Sequence, residues 1–226
     1  MKIAIAGSGA LGSGFGAKLF QAGYDVTLID GYTSHVEAVK QHGLNITING
    51  EAFELNIPMY HFNDQPDESI YDVVFLFPKS MQLKEVMEAM KPHIDNETIV
   101  VCTMNGLKHE EIIAQYVAQS QIVRGVTTWT AGLESPGHSH LLGSGPVEIG
   151  ELVDEVFEYL VDLNEKVGAH YPSMYQDLIV NNRKTEIDYI NGAVATLGKQ
   201  RHIEAPVNRF ITDLIHTKES QRHAQD

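Results

Sequence analysis

Cysteine and tryptophan are nearly absent from this chain, and basic residues are too few to balance the acidic ones. With Cys102 the single cysteine among 226 residues, no internal disulfide forms, and a reducing cytoplasm is the expected compartment. The thiol falls in the apolar run Thr98-Ile99-Val100-Val101-Cys102, where cysteine packs as a small hydrophobe. Lys and Arg number 16 against 30 Asp and Glu, a formal net charge of −14. That balance argues against a nucleic-acid or anionic-membrane partner, because both require basic surface. No apolar run approaches the ~20 residues of a membrane span, and the amino terminus reads as a short strand rather than a secretion signal. Internal repeats and low-complexity tracts are also missing. His138 and His140 lie one residue apart but lack the further acidic or cysteine partner a metal site needs, so no metal is expected.

What is present is ordinary for a globular chain, with 43% hydrophobic and 20% charged residues. The most informative segment is Lys2-Ile3-Ala4-Ile5-Ala6-Gly7-Ser8-Gly9-Ala10-Leu11-Gly12. It reads as a buried strand, a Gly-x-Gly-x-x-Gly turn and the start of a helix, the context that gives such a glycine trio its meaning. Gly7 permits the tight turn, Gly9 allows backbone to approach a diphosphate, and Gly12 allows close helix–strand packing. Ser8, Ala10 and Leu11 complete the turn, whose free helix N–H groups face the phosphates. The expected ligand is a dinucleotide.

Downstream, Asp25-Val26-Thr27-Leu28-Ile29 forms a second strand ending at Asp30, and Asn45 to Leu55 reads as a hairpin about Asn49-Gly50. Tyr71 to Phe77 is apolar apart from Asp72, as in a parallel strand covered on both faces. A helix over Met81–Met90, the Cys102 strand, a helix over Glu110–Val117 and a strand over Gln121–Val126 follow. This alternation predicts an α/β fold with a Rossmann-like doubly wound parallel sheet. After Gly150 the pattern turns helical. Val153, Val156, Phe157, Leu160 and Val161 recur at helical spacing, and further helices are expected over Thr185–Leu197 and Pro206–Thr217. The expected division is a dinucleotide-binding domain over 1–152 and a shortened all-helical C-terminal domain over 153–226. So few helical residues cannot bury a large core alone and must pack on the nucleotide domain, on another subunit or on both; a homodimer formed largely by these helices is expected.

Asp30 stands eighteen residues after Gly12, where a dinucleotide fold meets the adenosine ribose. A carboxylate there accepts hydrogen bonds from the ribose hydroxyls of NAD. Against the 2′-phosphate of NADP, two like charges ~4 Å apart cost roughly 4 kcal/mol at an effective dielectric of ~20, before salt screening. No Arg or Lys occurs between Asp30 and Lys40 to offset this. NAD is the expected cofactor, with NADP the alternative; as a plain turn residue before Gly31, Asp30 would carry no such meaning.

Three further segments complete the pattern: Phe77-Pro78-Lys79-Ser80, Met104-Asn105-Gly106, and Tyr171-Pro172-Ser173-Met174-Tyr175-Gln176-Asp177 leading to Lys184-Thr185-Glu186-Ile187-Asp188-Tyr189-Ile190-Asn191-Gly192. Together with the glycine turn they resemble the ketopantoate reductase (2-dehydropantoate 2-reductase) family over essentially the whole chain. The resemblance implies reduction of a bulky 2-keto acid to a D-2-hydroxy acid. It also implies that Asn105 and Lys79 line the cleft between nicotinamide and substrate. Ser173 would hydrogen-bond the substrate, or serve as a simple helix cap. Glu186 would orient the reacting groups and touch the cofactor ribose, or act as a charge partner at a helix start. Ala131, in Thr127-Thr128-Trp129-Thr130-Ala131, joins the cofactor-binding set.

Two departures qualify the resemblance. The family's usual NADPH is held by an arginine where this chain has Asp30, so its NAD-using D-mandelate and D-2-hydroxyacid dehydrogenase members are the nearer comparison. A helical stretch carrying the family's proton-donating lysine has no counterpart, because Glu151 leads within about twenty residues to Tyr171. His170 could supply a proton in its place, although it also reads as an exposed loop histidine. The expected activity is therefore NAD-dependent 2-keto acid reduction, impaired by this loss. The alternatives are an NADPH-dependent 2-dehydropantoate 2-reductase and an inactive dinucleotide-binding protein.

Overall fold

The computed structural model describes residues 1–66, 69–143, 147–149, 174 and 176–223. In its first strand, β1 (Lys2–Ala6), Ile3 to Ala6 are all buried. Ile3 and Ile5 face one apolar cluster and Ala4 and Ala6 another, which is why this strand is apolar throughout rather than alternating. A helix, α1 (Ala10–Gln21), returns the chain to β2 (Asp25–Asp30), which pairs parallel with β1. Next come α2 (Thr33–His42), β3 (Leu44–Ile48), β4 (Glu51–Leu55) and β5 (Met59–His61). The expected hairpin joins β3 to β4, with Asn49 and Gly50 both left-handed at φ 50° and 87°, as a tight primed turn requires.

The chain continues through β6 (Val73–Leu76), a single 3-10 turn and α3 (Leu83–Met90), then β7 (Ile99–Cys102), α4 (His109–Ile113), β8 (Ile122–Thr127), β9 (Thr130–Ser135), β10 (His138–Gly143) and β11 (Val147–Ile149). Seven strands form the main sheet in the order β11-β8-β7-β6-β1-β2-β5, parallel except for the edge pair β11–β8. A second sheet, in the order β4-β3-β10-β9, shares one apolar cluster with α1, α2 and the near face of the main sheet. On the far face α3 buries Leu83, Val86, Met87 and Met90, each contributing about 1.5–3 kcal/mol on leaving water. Cys102 closes β7 as a buried thiol, and that burial pushes its pKa up.

The described residues divide into two compact units, one within Met1–Met104 and Glu110–Glu165, the other within Asn105–His109 and Lys166–Asp226. The second contains a wide helical turn (Gln176–Val180), α5 (Asn191–Gln200) and α6 (Pro206–His223). Thr185 donates its N–H and hydroxyl to Glu219 (2.8 and 2.9 Å), and Asn191 donates to Asn208 (3.0 Å), fastening the approach to α5 onto α6.

The parallel sheet and its helices appear as expected, and so does the helical C-terminal part. The sequence pattern did not reveal α2, β5, β9, β10 or β11, nor the pairing of the β3–β4 hairpin with β10 that builds the second sheet. The helix expected from Thr185 starts only at Asn191. Residues 186–190 are instead a turn in which Glu186 O accepts from Tyr189 and Ile190 N–H, and Ile190, at φ −102° and ψ −93°, breaks the helical path. The helix expected around Val153–Val161 lies outside the described residues, as do His170 and Ser173. Among the described residues no helix is long and apolar enough to cross a membrane.

Candidate active site

The strand order reverses at β1, which has β2 on one side and β6 on the other. In open α/β sheets ligands bind just beyond the carboxyl ends of strands at such a point. Two loops meet there. Gly7 has φ 89°, and a Cβ on it would lie 2.5 Å from Pro78 N and 2.7 Å from Phe77 C, so only glycine fits. A Cβ on Gly12 would lie 2.4 Å from Gly7 O, closing the turn from the helix side. A Cβ on Gly9 would meet nothing within 4 Å. The space beside Gly9 is open, and the first N–H groups of α1 have no intrahelical acceptor.

Ser8 behaves differently from its neighbours. Its hydroxyl donates to Ile5 O (2.6 Å) and accepts from Ile29 N–H (3.0 Å), and its own N–H donates to Ile29 O (3.1 Å). Buried completely, it fastens the end of β1 to the end of β2. Its carbonyl accepts from Ser13 Oγ (2.6 Å) and lies 3.0 Å from His35 Nε2.

Asp30 ends β2, and its Oδ1 accepts from Tyr32 N–H (2.8 Å). Burial pushes its carboxyl pKa up from 3.8, an effect opposed by the Tyr32 N–H and by the nearby His35 and His61. A cavity of about 420 Å³ opens beside it, lined by Gly31, His61, Phe62, Asn63, Glu85 and Glu88 among others. A larger one, about 530 Å³, lies around His42, Asn45, Phe53 and His138 and touches none of the expected site residues. Lys79 follows β6 and begins the 3-10 turn into α3, with its N–H 3.4 Å from Gln82 Oε1. Behind it Phe15 packs against Phe75, Phe77 and Trp129 at centroid distances of 4.9, 5.2 and 5.2 Å. Ala131 lies half-buried in β9 opposite Leu141 and packs on the cluster that contains Phe15.

In the second unit, the segment bearing Asn105 docks on the turn bearing Glu186. Leu107 N–H donates to Tyr189 O (3.0 Å), and His109 stacks on Tyr189 with centroids 5.9 Å apart. Gly106, at φ 111°, allows the approach, since a Cβ would lie 2.8 Å from Tyr189 O. Asn105 itself is exposed and Glu186 half-buried. One expectation about the histidines needs correcting. An acidic partner does stand beside His138 and His140, because Glu134 lies 3.2 Å from each, although among the described residues no group of three or more His, Cys, Asp or Glu side chains is arranged to hold a metal ion. His35 and the aromatic group around Phe15 went unnoticed in the sequence.

Residues 3–154 match the model of the ketopantoate reductase PanE/ApbA family. The chain belongs to this family. It is 34% identical to the 2-dehydropantoate 2-reductase of Lactococcus lactis subsp. lactis (strain IL1403) over 306 positions, covering 97% of this chain and 98% of the relative. With that of Streptococcus pyogenes serotype M1 it shares 32% over 311 positions, covering all of both. A solved D-mandelate dehydrogenase, in ternary complex with NADH and anilino(oxo)acetate, superposes with a TM-score of 0.89 at 34% identity, covering 99% of each chain. Since 226 residues are spread over 306 aligned positions, at least 80 positions of the Lactococcus alignment have no residue of this chain opposite them. Family membership makes this a relative of oxidoreductases, and a shortened one.

Proposed function

We propose that this chain binds NADH and reduces a bulky or branched 2-keto acid to a D-2-hydroxy acid, as a shortened member of its family. The observation that carries the reading is the pairing of an open glycine turn after β1 with a carboxylate at the end of β2. The turn suits a diphosphate: the first N–H groups of α1 have no intrahelical acceptor, and a Cβ on Gly9 would meet nothing within 4 Å. Gly7, Gly9, Ala10, Leu11 and Gly12 would hold the diphosphate, and Asp30 would accept from the adenosine ribose hydroxyls. When bound, NADH supplies the hydride that reduces the keto carbon. Lys79 would attract the anionic acid. Asn105 and Glu186, on two docked segments, would orient the reacting groups, and Ser173 would bind the substrate. Ala131 would border the cofactor. Residues 1–152 would serve the nucleotide, and 153–226 the substrate and a homodimer contact.

A second reading, dinucleotide binding without turnover, is favoured by the 80 or more unmatched positions. General-acid help is worth typically 10²–10⁴-fold, and a chain without the family's lysine forgoes it. Fluorescence titration with NADH and NADPH decides the cofactor, with NADH expected to bind at least tenfold more tightly and Asp30→Asn to narrow that gap. A panel including 2-ketoisovalerate and benzoylformate at high enzyme concentration decides the chemistry. Preference for NADPH would overturn the Asp30 reading, and NADH binding without turnover would establish the second one.

A further inference from the structure

We propose that His35 is a positioning residue for the dinucleotide, acting through the Ser8–Gly9 peptide; the inference rests on the reading of the glycine turn given above. His35 lies in the first turn of α2 and is fully buried. The backbone N–H of Gly137, between β9 and β10, points at its Nδ1 (2.8 Å). An N–H can only donate, so Nδ1 carries the lone pair and the proton sits on Nε2. That Nε2–H reaches the Ser8 carbonyl at 3.0 Å and the Ser13 hydroxyl oxygen at 3.2 Å. Ser13 Oγ donates to the same carbonyl at 2.6 Å. Two donors thus converge on Ser8 O from inside the protein.

The geometry of the peptide carries the consequence outward. No peptide bond among the described residues is cis, and in a planar trans peptide the carbonyl and the following N–H point in opposite directions. Drawing Ser8 C=O inward onto His35 and Ser13 therefore turns Gly9 N–H outward. A Cβ built on the same residue would meet nothing within 4 Å, so the loop is open at Gly9. A phosphate oxygen there meets a donor already aimed at it, without the cost of reorienting the loop on binding. The imidazole touches no ligand. It fixes the direction of one donor that does, and it ties that donor to the second sheet through Gly137.

The two nitrogens can be separated by substitution. His35→Gln retains a donor near the Nε2 position and loses the Gly137 acceptor, whereas His35→Asn retains an acceptor near Nδ1 and loses the donor to Ser8 O. NADH dissociation constants for the two variants and the unsubstituted chain, with melting temperatures alongside, test the assignment. His35→Asn is expected to bind NADH about tenfold more weakly than the unsubstituted chain, the scale of one hydrogen bond, and His35→Gln to stay within threefold of it. Equal affinities for the two variants, both unchanged or both reduced, would overturn the proposal, since a purely structural imidazole gives no distinction between its nitrogens. Should either variant fail to fold, Ser13→Ala removes the other donor to the same carbonyl. A loss of about fivefold is then expected, and no loss overturns the proposal. Failure of the unsubstituted chain to bind NADH would sink the site reading and this inference together, whereas normal binding by that chain without the variant differences sinks the inference alone.

Discussion

A buried neutral histidine ties acid sensitivity to one residue. Burial pushes the His35 pKa below 6.5, with the nearby Asp30 carboxylate and the Ser8 carbonyl opposing the shift. The folded chain therefore binds fewer protons at this site than the unfolded chain does. Its stabilising contribution is complete above about pH 6.5 and declines as the pH falls below that value toward the folded pKa. The melting temperature is expected to drop further between pH 7 and pH 5 in the unsubstituted chain than in His35→Gln, by about 2–4 °C for each kcal/mol involved. Calorimetry at stepped pH measures this, and parallel curves would remove His35 as the source. Gly7, Gly12 and Asp30 were legible in the sequence because their requirements are local: a turn, a close approach, the end of a strand. His35 was not, because its partners Ser8 and Gly137 lie 27 and 102 residues away, and nothing nearby distinguishes it from the chain's ten other histidines.

Elements show the same division between local and distant causes. The β3–β4 hairpin was readable from Asn49-Gly50 alone, and β6 and β7 from unbroken apolar runs. The second sheet was not, because β10 pairs parallel with β3 across some ninety residues of chain, a distance at which no local pattern signals a partner. The segment at Glu186 misled for the opposite reason. Its composition suits a helix, but its carbonyls are taken up by a turn that also receives the Asn105 segment. The glycine turn separates fold from binding within three positions. Gly7→Ala should lose about 2 kcal/mol or more, because its φ is 89° and its Cβ would strike the Phe77–Pro78 backbone. Gly9→Ala, with open space and φ −63°, should melt within a few degrees of the unsubstituted chain. It should nevertheless bind NADH at least tenfold more weakly, because its methyl group would occupy the room left for phosphate. Thermal melts paired with NADH titrations check both, and a Gly9→Ala variant of undiminished affinity would place the diphosphate elsewhere.

For the whole molecule, architecture and family were readable from order and spacing, while substrate and assembly belong to surfaces formed only on folding. Helix α6 leaves Val207, Phe210 and Leu214 exposed, the first two at 66%, and they recur at the spacing of one helical stripe. If a second copy covers this stripe, light scattering at micromolar concentration should report about twice the chain mass of 25.1 kDa, and Phe210→Asp should halve it. A monomer in both cases would leave that face bare and end the dimer proposal. The solitary thiol at the end of β7 adds something of another kind. Sealed in the sheet's interior and held in its protonated form by burial, Cys102 stays out of reach of alkylating reagents while the strands are closed. Its rate of labelling is then a clock for openings of the central sheet, native to the chain and needing no dye, and any ligand that clasps the two loops beyond β1 and β6 should slow it.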